Sequence, residues 1–116
     1  MERTDMEIDE ETIINLILCA GESKSCAMEA IRAARNSQWQ QADDFLQQSG
    51  AAASQCHNMQ TRLIGEDEGA GRVPVSLIMV HAQDHIMNAM LCREMAEEIV
   101  ALYQKFYSLN SQRKDA

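Results

Sequence analysis

The sequence predicts an all-α protein: an antiparallel three-helix bundle whose third helix carries more apolar surface than one bundle can cover. Three observations lead there. Hydrophobic residues form 46% of the 116-residue chain but aromatics only 4%, with one proline and five glycines. That composition favours helices packed through Leu, Ile, Ala and Met, and the β-branched and aromatic clusters that mark strands are absent. Apolar residues recur in alternating steps of four and three along three long segments, and only one clear loop interrupts them.

Helix I is expected over residues 9–36, with Asp9 as N-cap and Glu10 and Glu11 placed favourably for the helix dipole. Its seam reads Ile13, Ile17, Ala20, Lys24, Ala27, Ile31 and Ala34, with Lys24 expected to snorkel outward. Helix II is expected over residues 37–65, opened by a capping box in Ser37-Gln38-Trp39-Gln40. Its seam reads Phe45, Ser49, Ala52, Cys56, Met59 and Leu63. The middle of this helix, Ser49 to Ser54, is built of small residues. Gly50 costs on the order of 1 kcal/mol relative to alanine there, and Gly21 costs the same in helix I. Such patches predict a close helix approach or a shallow depression.

The loop, residues 66–73 within Gly65-Glu66-Asp67-Glu68-Gly69-Ala70-Gly71-Arg72, invites comparison with a phosphate cradle. No strand precedes it, no G-K-[ST] follows, and its carboxylates would repel phosphate, so it reads as a mobile connector. Pro74 suits the first turn of helix III, expected over residues 74–109 and about 50 Å long. Helix III carries two seams. One is Ile78, Ala82, His85, Ala89, Cys92, Ala96, Ile99, Tyr103 and Phe106. The other is Leu77, His81, Asp84, Asn88, Leu91, Met95 and Leu102. A bundle helix needs one apolar stripe, so the second predicts a subunit interface and a symmetric oligomer of bundles. No repeat of solenoid length is visible.

The length suits a single domain, taken as 1–116. A net charge of −8 argues against nucleic acid, whose phosphates require basic faces, and is compatible with a basic protein partner steered in by charge. The four cysteines, Cys19, Cys26, Cys56 and Cys92, form no C-x-x-C pair and read as reduced core or seam residues. The acidic, polar residues 1–8 form a loose lead-in and carry no signal-peptide pattern. The longest apolar run, Leu77 to Val80, is far too short to span a bilayer. A cytoplasmic protein without membrane insertion is therefore expected.

The candidate site is Val80-His81-Ala82-Gln83-Asp84-His85-Ile86-Met87-Asn88. At about 100° per residue, His81, Asp84, His85 and Asn88 fall within an arc of roughly 100°, while Gln83 points elsewhere. Four polar groups thus interrupt a stripe that Leu77, Leu91 and Met95 continue on either side. A neutral imidazole is a competent nucleophile when one nitrogen is free and the other is oriented. His81 and His85 also stand at i, i+4, the spacing with which two imidazoles grip one metal. A metalloprotease would need glutamate where Ala82 stands, so only a non-catalytic di-histidine site would remain. If the stripe faces a symmetry axis, copies of Asp84 converge and must share protons or bind a hard divalent cation. Against these stand blander readings: a histidine satisfied at an interface, a solvated aspartate, and Asn88 as an interface hydrogen-bonder. His57 and Trp39 read as surface or edge residues. An adaptor oligomer without chemistry also fits the pattern.

Val75-Ser76-Leu77-Ile78-Met79-Val80-His81-Ala82-Gln83-Asp84-His85-Ile86-Met87 resembles the signature of the lactose/cellobiose-type enzyme IIA of the bacterial sugar phosphotransferase system. Ala20-Gly21, the Ala-rich middle of helix II and Glu97-Glu98-Ile99-Val100-Ala101-Leu102-Tyr103 are also similar, so the likeness runs from about residue 9 to 108. Ala82 after the histidine is closer to the cellobiose/diacetylchitobiose branch than to the lactose branch, where glycine is usual. The resemblance implies a homotrimer of three-helix bundles. It implies that His81 accepts a phosphoryl group from HPr and passes it to a cysteine of the cognate IIB component. It implies that Asp84 binds one magnesium or similar ion shared by three subunits, and that Gln83 and His85 support the site. Asn88, in a site-supporting position, departs from the threonine common in relatives.

Overall fold

The computed structural model describes residues 8–114. Three helices follow one another, α1 (Glu10–Arg35), α2 (Trp39–Asp67) and α3 (Leu77–Lys114), and no strand occurs among the described residues. α1 is the central element: α2 and α3 both pack along it and meet each other far less. The lead-in expected over residues 1–8 lies outside the described residues, except Ile8, which is partly buried against the core.

The interior is built mainly from small side chains. Ala20, Ala27, Ala30, Ala33 and Ala34 of α1, Ala42 and Ala52 of α2, and Ala82, Ala89 and Ala96 of α3 are all buried. Leu16 and Ile86 are the largest side chains buried completely. Small residues let helix axes come close, which buries polar side chains that have nowhere else to go. Ser23 Oγ donates to Ser49 O at 3.0 Å and Ser49 Oγ donates back to Ser23 O at 2.7 Å, closing a reciprocal α1–α2 contact. Cys19 Sγ donates to Ala52 O at 3.0 Å one level below. The depression expected alongside also forms. A groove of about 650 Å³ between α2 and α3 is lined by Gly50, Ala51, Ala53, Ser54, Met90 and Arg93, among others. Gly21, by contrast, faces open space and marks no close approach.

The buried stripe of α1 keeps Ile13, Ala20, Ala27 and Ala34 of the expected seam but takes Leu16, Ser23 and Ala30 in place of Ile17, Lys24 and Ile31. Leu16, Ser23 and Ala30 are inside, Ile17 and Ile31 are at the edge, and Lys24 is exposed. The reason is the serine pair: a satisfied hydroxyl can enter the interior, so the stripe follows Ser23 and Lys24 never needs to snorkel. On α3 the core stripe is Met79, Ala82, Ile86, Ala89, Ala96 and Val100, whereas Ile78 and Phe106 of the expected first seam are exposed.

Three helix boundaries also differ. Asp9 occupies the N-cap of α1, but its carboxylate makes no capping bond. Ser37 does not open α2. It adopts a left-handed φ of 59°, its N–H bonds Ala34 O at 3.0 Å, and the Gln38 N–H bonds Ala33 O at 2.9 Å. This is a Schellman closure of α1 with serine where glycine is usual, so α2 starts at Trp39. α2 runs two residues past 65, to Asp67, and ends on Glu68 with φ 53°. Pro74 precedes α3 instead of sitting in its first turn. Ser76 caps the helix, its Oγ accepting from the Met79 N–H at 3.2 Å.

α3 extends to Lys114, beyond the expected end at 109. Toward that end Tyr107 forms an edge-to-face pair with Trp39, 5.5 Å between ring centroids. Trp39 is accordingly half-buried, while His57 is exposed.

Candidate functional site

Ser76 starts α3 and thereby sets the phase at which the following side chains emerge. Ala82 and Ile86 are wholly buried, anchoring the turn to the core. His81, Asp84 and Asn88 project on the opposite side and are exposed; His85 is half-buried at the flank. The rings of His81 and His85 meet edge to face, with centroids 4.5 Å apart and planes at 86°. His81 and Asp84 line a shallow concavity of about 690 Å³ with Leu77, Ile78 and Val80. The structure thus brings His81, Asp84 and His85 together and puts an apolar collar beside the His81 ring.

The apolar continuation of this stripe is uncovered in the single chain. Leu77 is 87% exposed, Leu91 58%, Met95 55% and Leu102 67%. These are the residues of the second seam, and Asp84 and Asn88 lie in line with them.

Gln83 is elsewhere. It is half-buried on the α2 side, where its carbonyl accepts from Gln60 Nε2 at 2.6 Å and its amide donates to Met79 Sδ at 3.7 Å. It therefore braces the helix rather than facing His81 of the same chain. Gln60 had no sequence signal beyond standing four residues after Cys56 and three before Leu63, beside the seam of α2.

One alternative site loses its basis, and the pair of imidazoles gains no third ligand. Among the described residues, no three His, Cys, Asp or Glu side chains gather as a metal site within one chain. The glycine loop turns its amides inward: Asp67 accepts from the N–H of Gly71 at 3.3 Å and of Val73 at 2.9 Å, leaving those donors unavailable to phosphate. The cysteines are all free thiols; Cys19 and Cys56 are buried, and Cys26 and Cys92 are half-buried. Burial pushes the Cys56 thiol up to about 12, helped by its contact with Cys19. No helix is long and apolar enough to cross a membrane among the described residues.

Residues 11–104 match the family model for the lactose/cellobiose-specific IIA subunit of the phosphotransferase system. The chain belongs to this family. The lichenan-specific phosphotransferase enzyme IIA component of Bacillus subtilis is 44% identical over 96 residues, 83% of this chain and 87% of the relative. The cellobiose-specific enzyme IIA of Bacillus anthracis superposes with a TM-score of 0.83 at 34% identity, covering 89% of this chain and 94% of that one. The chitobiose IIA of Escherichia coli, solved in complex with HPr, superposes at 0.75 with 37% identity, covering 88% and 99%. The IIA family supplies phosphotransferase components, and the cellobiose and chitobiose character of these two structures agrees with the branch that Ala82 indicated.

Proposed function

We propose that this IIA protein is a phosphocarrier that takes a phosphoryl group from phospho-HPr onto His81 and delivers it to a cysteine of its cognate IIB component. The transfer serves uptake and phosphorylation of a β-linked disaccharide such as cellobiose, diacetylchitobiose or lactose. The observation that carries this reading is the exposed imidazole of His81, seated in an open apolar concavity on a helix whose opposite face is buried in the core. A lone pair on a ring nitrogen, Nε2 in this reading, attacks phosphorus as the donor's bond to phosphorus breaks. In the second step the N–P bond breaks as the cysteine S–P bond forms, and the imidazole is restored. Such chemistry asks the protein mainly for positioning and charge stabilisation. His85 orients the ring from its edge, and Asn88 supplies an amide one turn beyond Asp84. Both protein partners need only a transient encounter, consistent with an open site and no nucleotide loop.

The uncovered stripe of α3 supports a homotrimer, with three copies of Leu77, Leu91, Met95 and Leu102 packed about an axis. One chain offers a single Asp84 carboxylate. Three copies would offer only oxygen donors, the set that a magnesium or similar ion takes. The ion would neutralise carboxylates that otherwise repel across the axis. The surroundings expected for such a carrier are cytoplasmic.

Phosphorylation tests the central point. With phosphoenolpyruvate and the general enzymes of the system, wild type should acquire acid-labile phosphate and His81→Ala should acquire none. Normal labelling of His81→Ala would overturn the assignment.

A further inference from the structure

Of the His-x-Gln-Asp-His core, the signature glutamine hydrogen-bonds to α2 through a side chain outside the motif. Gln60 Nε2 donates to Gln83 Oε1 at 2.6 Å and its second proton points to Met87 Sδ at 3.9 Å. Gln83 Nε2 in turn meets Met79 Sδ at 3.7 Å. Two amides and two thioethers therefore form one chain of contacts spanning Met79 to Met87, the two turns that contain His81 and Asp84.

This chain matters because it adds a directional contact to a core face of α3 whose larger apolar knobs are Met79, Ile86 and Val100. Among the described residues, no other side-chain hydrogen bond or ion pair found in the structure joins α3 to either neighbour. The core face of α3 is punctuated by Ala82, Ala89 and Ala96, packed in an interior rich in other alanines. Alanine faces approach closely but interlock weakly, so they tolerate small rotations and slides that larger knobs would block. The amide pair opposes them, because a slip breaks its short hydrogen bond. Single polar residues fix register in helical assemblies by this means.

We infer that Gln60 is a positioning residue for phosphoryl transfer: acting through Gln83, it sets the rotation of α3 at which His81 and Asp84 are presented. This rests on the reading of His81 as the phosphoryl acceptor. Gln60 touches neither the phosphoryl group nor His81.

The test compares transfer from phospho-HPr into full-length wild type, Gln60→Met, Gln60→Glu, Gln83→Met and His81→Ala. Gln60→Met keeps the shape and removes the donor. Its kcat should fall about tenfold, below the hundredfold loss that a misplacement of about 1 Å can cause, with KM for phospho-HPr unchanged. Gln60→Glu should recover most of the rate, because Gln83 can turn its amide and donate to the carboxylate. Gln83→Met combined with Gln60→Met should be no slower than either alone, as expected for two halves of one contact. Wild-type kcat in Gln60→Met, a raised KM in place of a lowered kcat, or equal damage in Gln60→Met and Gln60→Glu would each overturn the inference. Thermal unfolding accompanies each variant, and if Gln60→Met fails to fold, Gln83→Met against Gln60→Glu decides on the same criteria. His81→Ala separates the levels: normal labelling there removes the phosphocarrier reading, whereas an inert His81→Ala beside an unaffected Gln60→Met removes only the role of Gln60.

Discussion

Replacing Gly50 by alanine should stabilise this protein, although a Cβ at that position meets Arg93. The built Cβ lies 2.9 Å from Arg93 Nη2, 3.0 Å from Nε and 3.2 Å from Cζ. Those atoms are the far end of a flexible side chain, so a shift of a few tenths of an ångström relieves the contact. Alanine inside a helix is better than glycine by about 1 kcal/mol. The interaction at risk is the ion pair of Arg93 Nη2 with Glu97 at 2.8 Å, partly exposed and one turn apart. Such pairs are worth about 0.3–0.5 kcal/mol. Arg93 Nε is buried without an acceptor, so moving it forfeits no hydrogen bond. The balance is a gain of about 0.5–1 kcal/mol, or roughly 2–6 °C in Tm for a domain of this size. Thermal and urea unfolding by circular dichroism, at one protomer concentration, measure it. The control is the same substitution in an Arg93→Ala background, where the gain should be equal or larger. A loss of stability in the wild-type background together with a gain in the Arg93→Ala background would refute the ranking. The seat of the guanidinium would then outweigh backbone propensity.

Ser23→Ala and Ser49→Ala should each cost about 1 kcal/mol, and the double variant less than their sum, because each removes part of one reciprocal contact; urea denaturation of all three checks this. Asp84→Leu should leave self-association intact or tighter, since apolar contact replaces repelling carboxylates; a purely monomeric variant in sedimentation would remove Asp84 from the axis. Alkaline unfolding should feel Cys56. Its folded value of about 12 lies above the ordinary 9.0, so its stabilising contribution is complete below pH 9 and is lost as pH rises from 9 through 12. Cys56→Ala should therefore show a shallower loss over that window, and an unchanged slope would contradict the burial of the thiol.

Much of the fold was legible because the helical period runs almost unbroken through three segments. The seam of α2, with Ser49, Ala52, Cys56 and Leu63 buried, follows its periodicity directly. The seam of α1 was harder to read because Ile17 and Ile31 are more hydrophobic than Ser23 and Ala30. Pattern reading favours hydrophobicity, whereas the structure favours what fits between close helices. Ser37 carried the composition of a cap but stands two residues past the end of the helix it terminates. The wheel separated Gln83 from His81 correctly, yet nothing local could reveal Gln60, because their contact spans 23 residues of chain. The exposed positions of His81, Asp84 and Asn88 follow from phase alone. The uncovered stripe itself is legible in a single sequence only as surplus apolar surface.

The overhang of α3 has a practical consequence for engineering. α3 continues to Lys114 past the Trp39–Tyr107 contact, and Leu109 there is 52% exposed. Shortening the chain after Tyr107, or fusing a bulky domain there, should leave the buried interior of the bundle untouched, because its last buried side chain on α3 is Val100.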